Sequence, residues 1–240
     1  KPLAVLANFS MHYHGGGGPA DYFGLFADRL TKRLESEGRI PVCAMSQGTS
    51  GDLHWMNYGN ANKGSNVSQY ADGLVELAAQ TLVGIRYQSS PPLAMDQKVI
   101  TLSRRLPNAE RLAWADKLLA NMKGRRPKNR PEVYAEQARF IDENPTEKLV
   151  LQTLRIGDLG ITTLPNEVYS ITGLKLKARS PFPATFNVEL ANGAAGYIPP
   201  PHQHELGGYT TWPARTAGLE VDAEPKIVET LLSSLESLTV

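Results

Sequence analysis

Cysteine is almost missing from this chain: Cys43 stands alone among 240 residues, so no internal disulfide framework is possible. It sits in the apolar run Ile40-Pro-Val-Cys-Ala-Met45 and reads as a core residue rather than a reactive thiol. Excess charge is missing too. Lys and Arg number 25 against 24 Asp and Glu, a net +1, which gives no bulk electrostatic basis for binding nucleic acid or an anionic membrane. No apolar run approaches the ~18 residues of a transmembrane helix. Nor is there a signal-peptide pattern. Lys1-Pro2 directly precedes a strand, an abrupt start that suggests a fragment or a protein with an upstream part, and the compartment stays open. The run Gly15–Gly18 lacks the Lys-Ser/Thr of a phosphate loop, and no dinucleotide fingerprint occurs. Gly48-Thr-Ser-Gly51 lacks one glycine position of the G-x-S-x-G elbow, which argues against an α/β-hydrolase.

What the chain does have is an ordinary globular composition, 41% hydrophobic and 20% charged, and a length that fits one α/β domain over residues 1–240. Leu3-Ala-Val-Leu-Ala7 reads as a buried strand that runs into His12, His14 and the glycine loop. From Ala20 to Glu37, Phe23, Phe26, Leu30 and Leu34 recur at helical steps, with Gly38 as a stop. Ile40 to Met45 is a second strand. Strand, loop, helix, strand is a βαβ unit, so the two strands should be parallel and deliver the His12 and His54 loops to one sheet edge. Further on, Gly59 to Ser68 reads as a polar loop and Tyr70 to Leu82 as a helix. Leu93 to Leu102 is extended, and Asn108 caps a helix to Met122. The basic connector Gly124–Pro131 is a solvated loop or, less simply, a phosphate contact. Glu132 to Asn144 is helical, and 149–156 with 159–164 form a hairpin around Gly157-Asp158. A helix from Glu167 to Ala178, a strand from Thr185 to Leu190, a long loop from Ala191 to Thr211 and a closing helix from Glu224 to Leu238 complete the reading. The expected fold is a mixed sheet flanked by helices, with the site at loop ends.

Five histidines are the scarcest chemically versatile groups, and each lies in a short polar segment. His12 and His14 share strand parity, so they can ligate one metal or simply hydrogen-bond at a sheet edge. Glu167 stands where a helix N-terminus would favour its ionised form, or would use it as a cap. Tyr197 and Tyr209 lie among prolines and glycines and can ligate a metal, donate to an oxyanion, or pack. His202 and His204 again share spacing two. Asp52 can orient a histidine or shape a turn, and Ser46 and Ser50 raise the question of a serine nucleophile.

In their order and spacing, these segments resemble the neutral/alkaline non-lysosomal ceramidase family. Asn8-Phe-Ser-Met-His12 followed by Ala20-Asp-Tyr-Phe-Gly24 is similar to a zinc-histidine segment of that family. Ser46-Gln-Gly-Thr-Ser-Gly-Asp-Leu-His54 resembles its nucleophile segment, with His54 standing where the family has serine. Leu164-Pro-Asn-Glu167 resembles the segment of its zinc-binding glutamate, Leu190–Tyr197 that of its zinc-binding tyrosine, and Gly208-Tyr209 that of the tyrosine assigned to the tetrahedral intermediate. The resemblance implies a catalytic domain of the neutral-ceramidase type, of which this chain would be the C-terminal part. It implies one zinc ion on His12, Glu167 and Tyr197, with Tyr209 as oxyanion donor. His54 or His14 would handle protons, and His204 would contact the substrate. The family's other zinc histidine lies in an upstream His-x-His segment that is not in this sequence, so either an N-terminal half of the protein precedes it and carries that ligand, or His14, His54 or His204 replaces it, or the zinc site is lost. The implied substrate is a small acyl molecule of amide or ester type, lipid among the options. Two readings compete: a metal-free esterase using Ser46 or Ser50, and a non-catalytic binding protein.

Overall fold

The computed structural model describes residues 2–16, 18–60 and 66–239. Gly17 of the glycine run and residues 61–65 of the polar loop lie outside them. The first strand, β1 (Ala4–Phe9), pairs in parallel with β2 (Val42–Gln47), from Ala4 opposite Val42 to Phe9 opposite Gln47. The crossover helix α1 (Asp21–Leu34) buries Tyr22, Phe26 and Leu30 completely, one residue per turn on a single stripe. Helix α2 (Val67–Val83) packs beside it through Ala71, Leu74 and Val75. Its N-cap Asn66 accepts from the Gln69 backbone N–H, so α2 begins inside the stretch that reads as loop.

A second sheet has the order β3 (Leu93–Ser103), β4 (Thr146–Ile156), β5 (Leu159–Thr163), β7 (Ala184–Val188). Its first two pairings are antiparallel and the last is parallel. The β4–β5 turn is the expected Gly157-Asp158, with Gly157 at φ 62°, a conformation that suits glycine. Between β3 and β4 stands a helical hairpin, α3 (Ala109–Met122) and α4 (Arg130–Glu143). Asn108 and Asn129 cap its two helices by accepting the backbone N–H groups of Arg111 and Glu132. In the basic connector, Arg125 pairs with Glu132.

Two short strands differ from the sequence reading. Glu167 does not open a helix: β6 (Glu167–Val168) pairs in parallel with β8 (Tyr197–Ile198), and α5 (Ser170–Arg179) follows three residues after Glu167. The stretch 191–211 is not one long loop either. It holds β8, α6 (Pro201–Leu206) and a 3-10 turn, Tyr209–Thr211. Both misreadings have one cause. A two-residue strand has no periodicity to detect, and its backbone partner lies some thirty residues away.

The principal core forms where α7 (Ala223–Ser237) lays Ile227, Leu231 and Leu235 against Leu149 and Leu151 of β4 and its surroundings. The opposite face of that sheet is open, with Leu93, Met95 and Val99 all more than half exposed. The opening lies along β3, whereas β5 buries Ile161 and Thr163 on that same face, so the sheet gains burial energy from both sides at β5 and from one side at β3. Among the described residues no helix is long and apolar enough to cross a membrane.

Replacing Leu231 by Ala should cost about 2–5 kcal/mol, since it empties a fully buried site. Val99→Thr on the open face should stay within about 0.5 kcal/mol. Urea unfolding midpoints of the two variants check the contrast.

Candidate active site

Parallel pairing delivers several loops to one edge. His12 follows β1, Gln47 ends β2 with Ser50 just beyond, Glu167 lies after β5, and Glu189 directly follows β7. Two bonds fasten the sheets to each other there: Asn8 Nδ2 donates to the Asn187 carbonyl at 2.9 Å, and the Glu189 backbone N–H donates to the Gln47 carbonyl at 3.1 Å. Within the first sheet Asn8 Nδ2 also donates to Ser46 Oγ at 3.0 Å. The His12 loop is held from behind. Tyr22 OH donates to the Met11 carbonyl at 2.8 Å, and the Asp21 carboxylate accepts from the His14 and Gly15 backbones.

At the centre, His12 Nε2 lies 3.3 Å from Glu167 Oε2 and 3.1 Å from Tyr197 OH. The β6–β8 register places Glu167 directly opposite Tyr197, so the carboxylate and phenol share a face. Tyr209 OH donates to Tyr197 OH, and the Tyr209 ring is 54% exposed. Behind His12, Nδ1 lies 3.3 Å from Ser50 Oγ, which accepts from Gln47 Nε2 at 3.0 Å and donates to the Glu189 carboxylate. The other Glu189 oxygen accepts from the backbones of Ser50 (3.1 Å) and Val168 (2.8 Å). Gly51 lets these segments meet: its N–H reaches the Val168 carbonyl at 2.6 Å, and a Cβ there would lie 3.0 Å from β6 backbone atoms.

The electrostatics follow the contacts. The hydrogen bond to Glu167 raises the His12 pKa above its ordinary value against the opposing pull of burial. Burial works to raise Glu167, but the hydrogen bonds from His12 and Tyr197 outweigh it and hold the carboxyl below its usual range. The ionised state expected from a helix terminus is therefore produced by side chains instead. Burial, with the Glu167 charge nearby, pushes both tyrosines up and keeps their hydroxyls protonated. Burial also raises Glu189.

The structure brings together His12, Glu167, Tyr197 and Tyr209, and not all five histidines. His14 stacks on Trp55 with ring centres 4.2 Å apart, so the loops after β1 and β2 do face each other. His54, however, is exposed, and its Nδ1 accepts from the Met56 backbone beside Trp55 and Tyr58. His202 is exposed. His204 sits on α6 with Nδ1 buried and without a hydrogen-bond partner, and burial and the Arg105 charge lower its pKa. Among the described residues no cluster of three His, Cys, Asp or Glu side chains is placed to hold a metal. Ser50 is wholly buried with its proton turned to Glu189, which suits it to orienting His12 rather than attacking a substrate. Ser46 joins β1 to β2, accepting from Asn8 and donating to the Ala7 carbonyl. Asp52 accepts from Ser170 and so tethers the start of α5. Sequence reasoning missed Glu189 and Gln47. Each lies at the end of a strand, which is the one signal that could have marked them.

No family model matches the sequence, and no curated protein does. Solved structures do. The neutral ceramidase of Pseudomonas aeruginosa superimposes with a TM-score of 0.70 at 12% identity, over 98% of this chain and 44% of that one. A ceramidase complexed with C2 gives 0.70 at 11%, over 99% and 46%. The chain thus has the mixed α/β fold of part of a neutral ceramidase and spans less than half the length of those chains.

In the metal-free protein, Glu167 adds stability above its ordinary 4.5, lost as acid protonates it, and His12 adds stability below its ordinary 6.5, lost as rising pH passes its raised value. Their pairing should therefore stabilise most between about pH 4.5 and 6.5, and His12→Asn should flatten that maximum in urea melts across pH.

Proposed function

We propose that this chain is part of the catalytic domain of a hydrolase of acyl bonds, amide or ester, of the ceramidase type, and that it works with a divalent cation, zinc by resemblance. One observation carries the reading: His12 Nε2 lies 3.3 Å from a Glu167 carboxylate oxygen and 3.1 Å from the Tyr197 phenol oxygen. Three groups with lone pairs so placed need a proton or a cation among them, and the protonated Tyr197 hydroxyl already brings one. A proton on His12 can serve, and so can a metal ion. Ligands of a tetrahedral zinc at 2.0–2.1 Å are about 3.3–3.4 Å apart, which is the spacing found here. His12, Glu167 and Tyr197 would hold the ion, and three protein ligands leave room for a substrate atom.

When bound, such a cation supplies Lewis acidity toward an acyl carbonyl oxygen. The chain's own residues do the rest. Tyr209, exposed at the rim, keeps its proton and can turn its hydroxyl from Tyr197 toward a developing oxyanion. Of the two histidines expected to move protons, His14 is the better placed, because it shares the His12 loop while His54 points to solvent. Trp55, stacked on His14 of the His12 loop, offers an aromatic surface suited to the apolar part of an acyl substrate, consistent with a lipid.

Purified protein should contain zinc, and turnover on an amide and ester panel should vanish on chelation and return with the metal. Glu167→Gln should lower activity at least about 100-fold, and Tyr209→Phe should lower kcat by about 10²–10³-fold, both with unchanged circular dichroism. Activity that persists after complete metal removal rules out the cation reading.

A further inference from the structure

We infer that Glu189 is a positioning residue that sets the tautomer of His12 through Ser50. The inference comes from counting donors around one buried oxygen. A serine hydroxyl has one proton to give and two lone pairs to receive with. Ser50 Oγ meets three partners: the Glu189 carboxylate, Gln47 Nε2 at 3.0 Å and His12 Nδ1 at 3.3 Å. The amide orientation of Gln47 is settled by its second contact, since Nε2 also faces the Met11 carbonyl at 3.4 Å, which can only accept. Gln47 therefore donates to Ser50. The carboxylate can only accept, so the Ser50 proton goes to Glu189. One lone pair of Ser50 remains, and His12 must fill it with a proton on Nδ1. In neutral His12 that leaves a lone pair on Nε2, met by the Tyr197 hydroxyl at 3.1 Å, which is the form a metal ligand requires, while the hydrogen bond from Nε2 to Glu167 belongs to the protonated ring.

Glu189 is itself locked. One of its oxygens takes two backbone N–H groups, from Ser50 and Val168, so the other is committed to the Ser50 hydroxyl. The carboxylate at the end of β7 thereby joins the loop that carries Ser50 to the strand that carries Glu167. The substitution Glu189→Gln keeps the shape and reverses the sense of the relay. Its amide oxygen would take the two backbone N–H groups, its NH2 would donate to Ser50, and the Ser50 proton would turn to His12 Nδ1. The proton of His12 would then sit on Nε2, between the very groups that are to share a cation.

The metal arm of this inference rests on the cation reading above, but the tautomer arm does not. In [15N]histidine-labelled protein at a pH where His12 is neutral, two-bond nitrogen–proton spectra report which ring nitrogen is protonated, and loss of the signal in His12→Asn assigns it. The expected result is Nδ1–H in the native chain and Nε2–H in Glu189→Gln. In Ser50→Ala, where Nδ1 has no acceptor, the Nδ1–H preference should be lost. Titrated with zinc alone, Glu189→Gln and Ser50→Ala should each bind about 10- to 100-fold more weakly. Nε2–H in the native chain, or a tautomer unchanged in either variant, overturns the relay. A native chain with the expected tautomer but no zinc affinity keeps the relay and rejects the cation reading.

Discussion

A carboxylate and a phenol stand side by side in this protein because two residues of backbone pair in parallel. Glu167 and Val168 lie against Tyr197 and Ile198, and nothing longer than that pairing sets the distance between the two oxygen groups. Such a ladder is too short to be stable alone. It persists because both apolar members, Val168 and Ile198, are buried in the principal core with Leu164, Leu176 and Leu219. The polar partners are thus carried on strands whose other residues are anchored by hydrophobic burial. The packing that costs nothing in specificity, aliphatic against aliphatic, fixes the geometry that chemistry needs.

The site also concentrates negative groups. Glu167 and Glu189 come from neighbouring strand ends, and Glu189 is almost wholly buried. A buried carboxylate is costly unless hydrogen bonds satisfy it. Here two backbone N–H groups and a serine hydroxyl do so, which explains why the loop around Ser50 is drawn so close to β6 that Gly51 has no room for a side chain. Glu167, partly exposed, meets its charge with His12 and Tyr197 instead. The two carboxylates are therefore held differently: Glu189 by backbone N–H groups and a serine hydroxyl, Glu167 by an imidazole and a phenol.

Solved neutral ceramidases share this fold over less than half their length. At 11–12% identity the correspondence is one of backbone, and the shared property is an arrangement of strand ends. In this chain that arrangement carries the histidine, glutamate and two tyrosines whose sequence contexts resembled the family's. The position after Leu53 is the clearest divergence. His54 stands there, and its ring turns out to solvent beside Tyr58. The larger sheet is uncovered only along β3, where Leu93, Met95 and Val99 are exposed.

Much of the architecture was legible residue by residue. The stripe Phe26–Leu30 announced α1, Asn108 announced the start of α3, and Gly157-Asp158 announced the hairpin, because each signal lies within a few residues of the structure it specifies. The parallel β1–β2 pair followed from its crossover, and with it the meeting of the His14 and Trp55 loops. The identity of His12, Glu167, Tyr197 and Tyr209 as candidates was also present in the linear text. What the text could not decide was which candidates meet. His54 and His204 had the same standing as His12 until the loops were in place, and Glu189 had none, since a lone acidic residue after a strand is unremarkable. Meeting depends on register between β6 and β8 and on the angle at which two sheets join through Asn8 and Asn187. Those are set by side-chain packing summed over residues far apart in the chain, and no local pattern encodes such a sum.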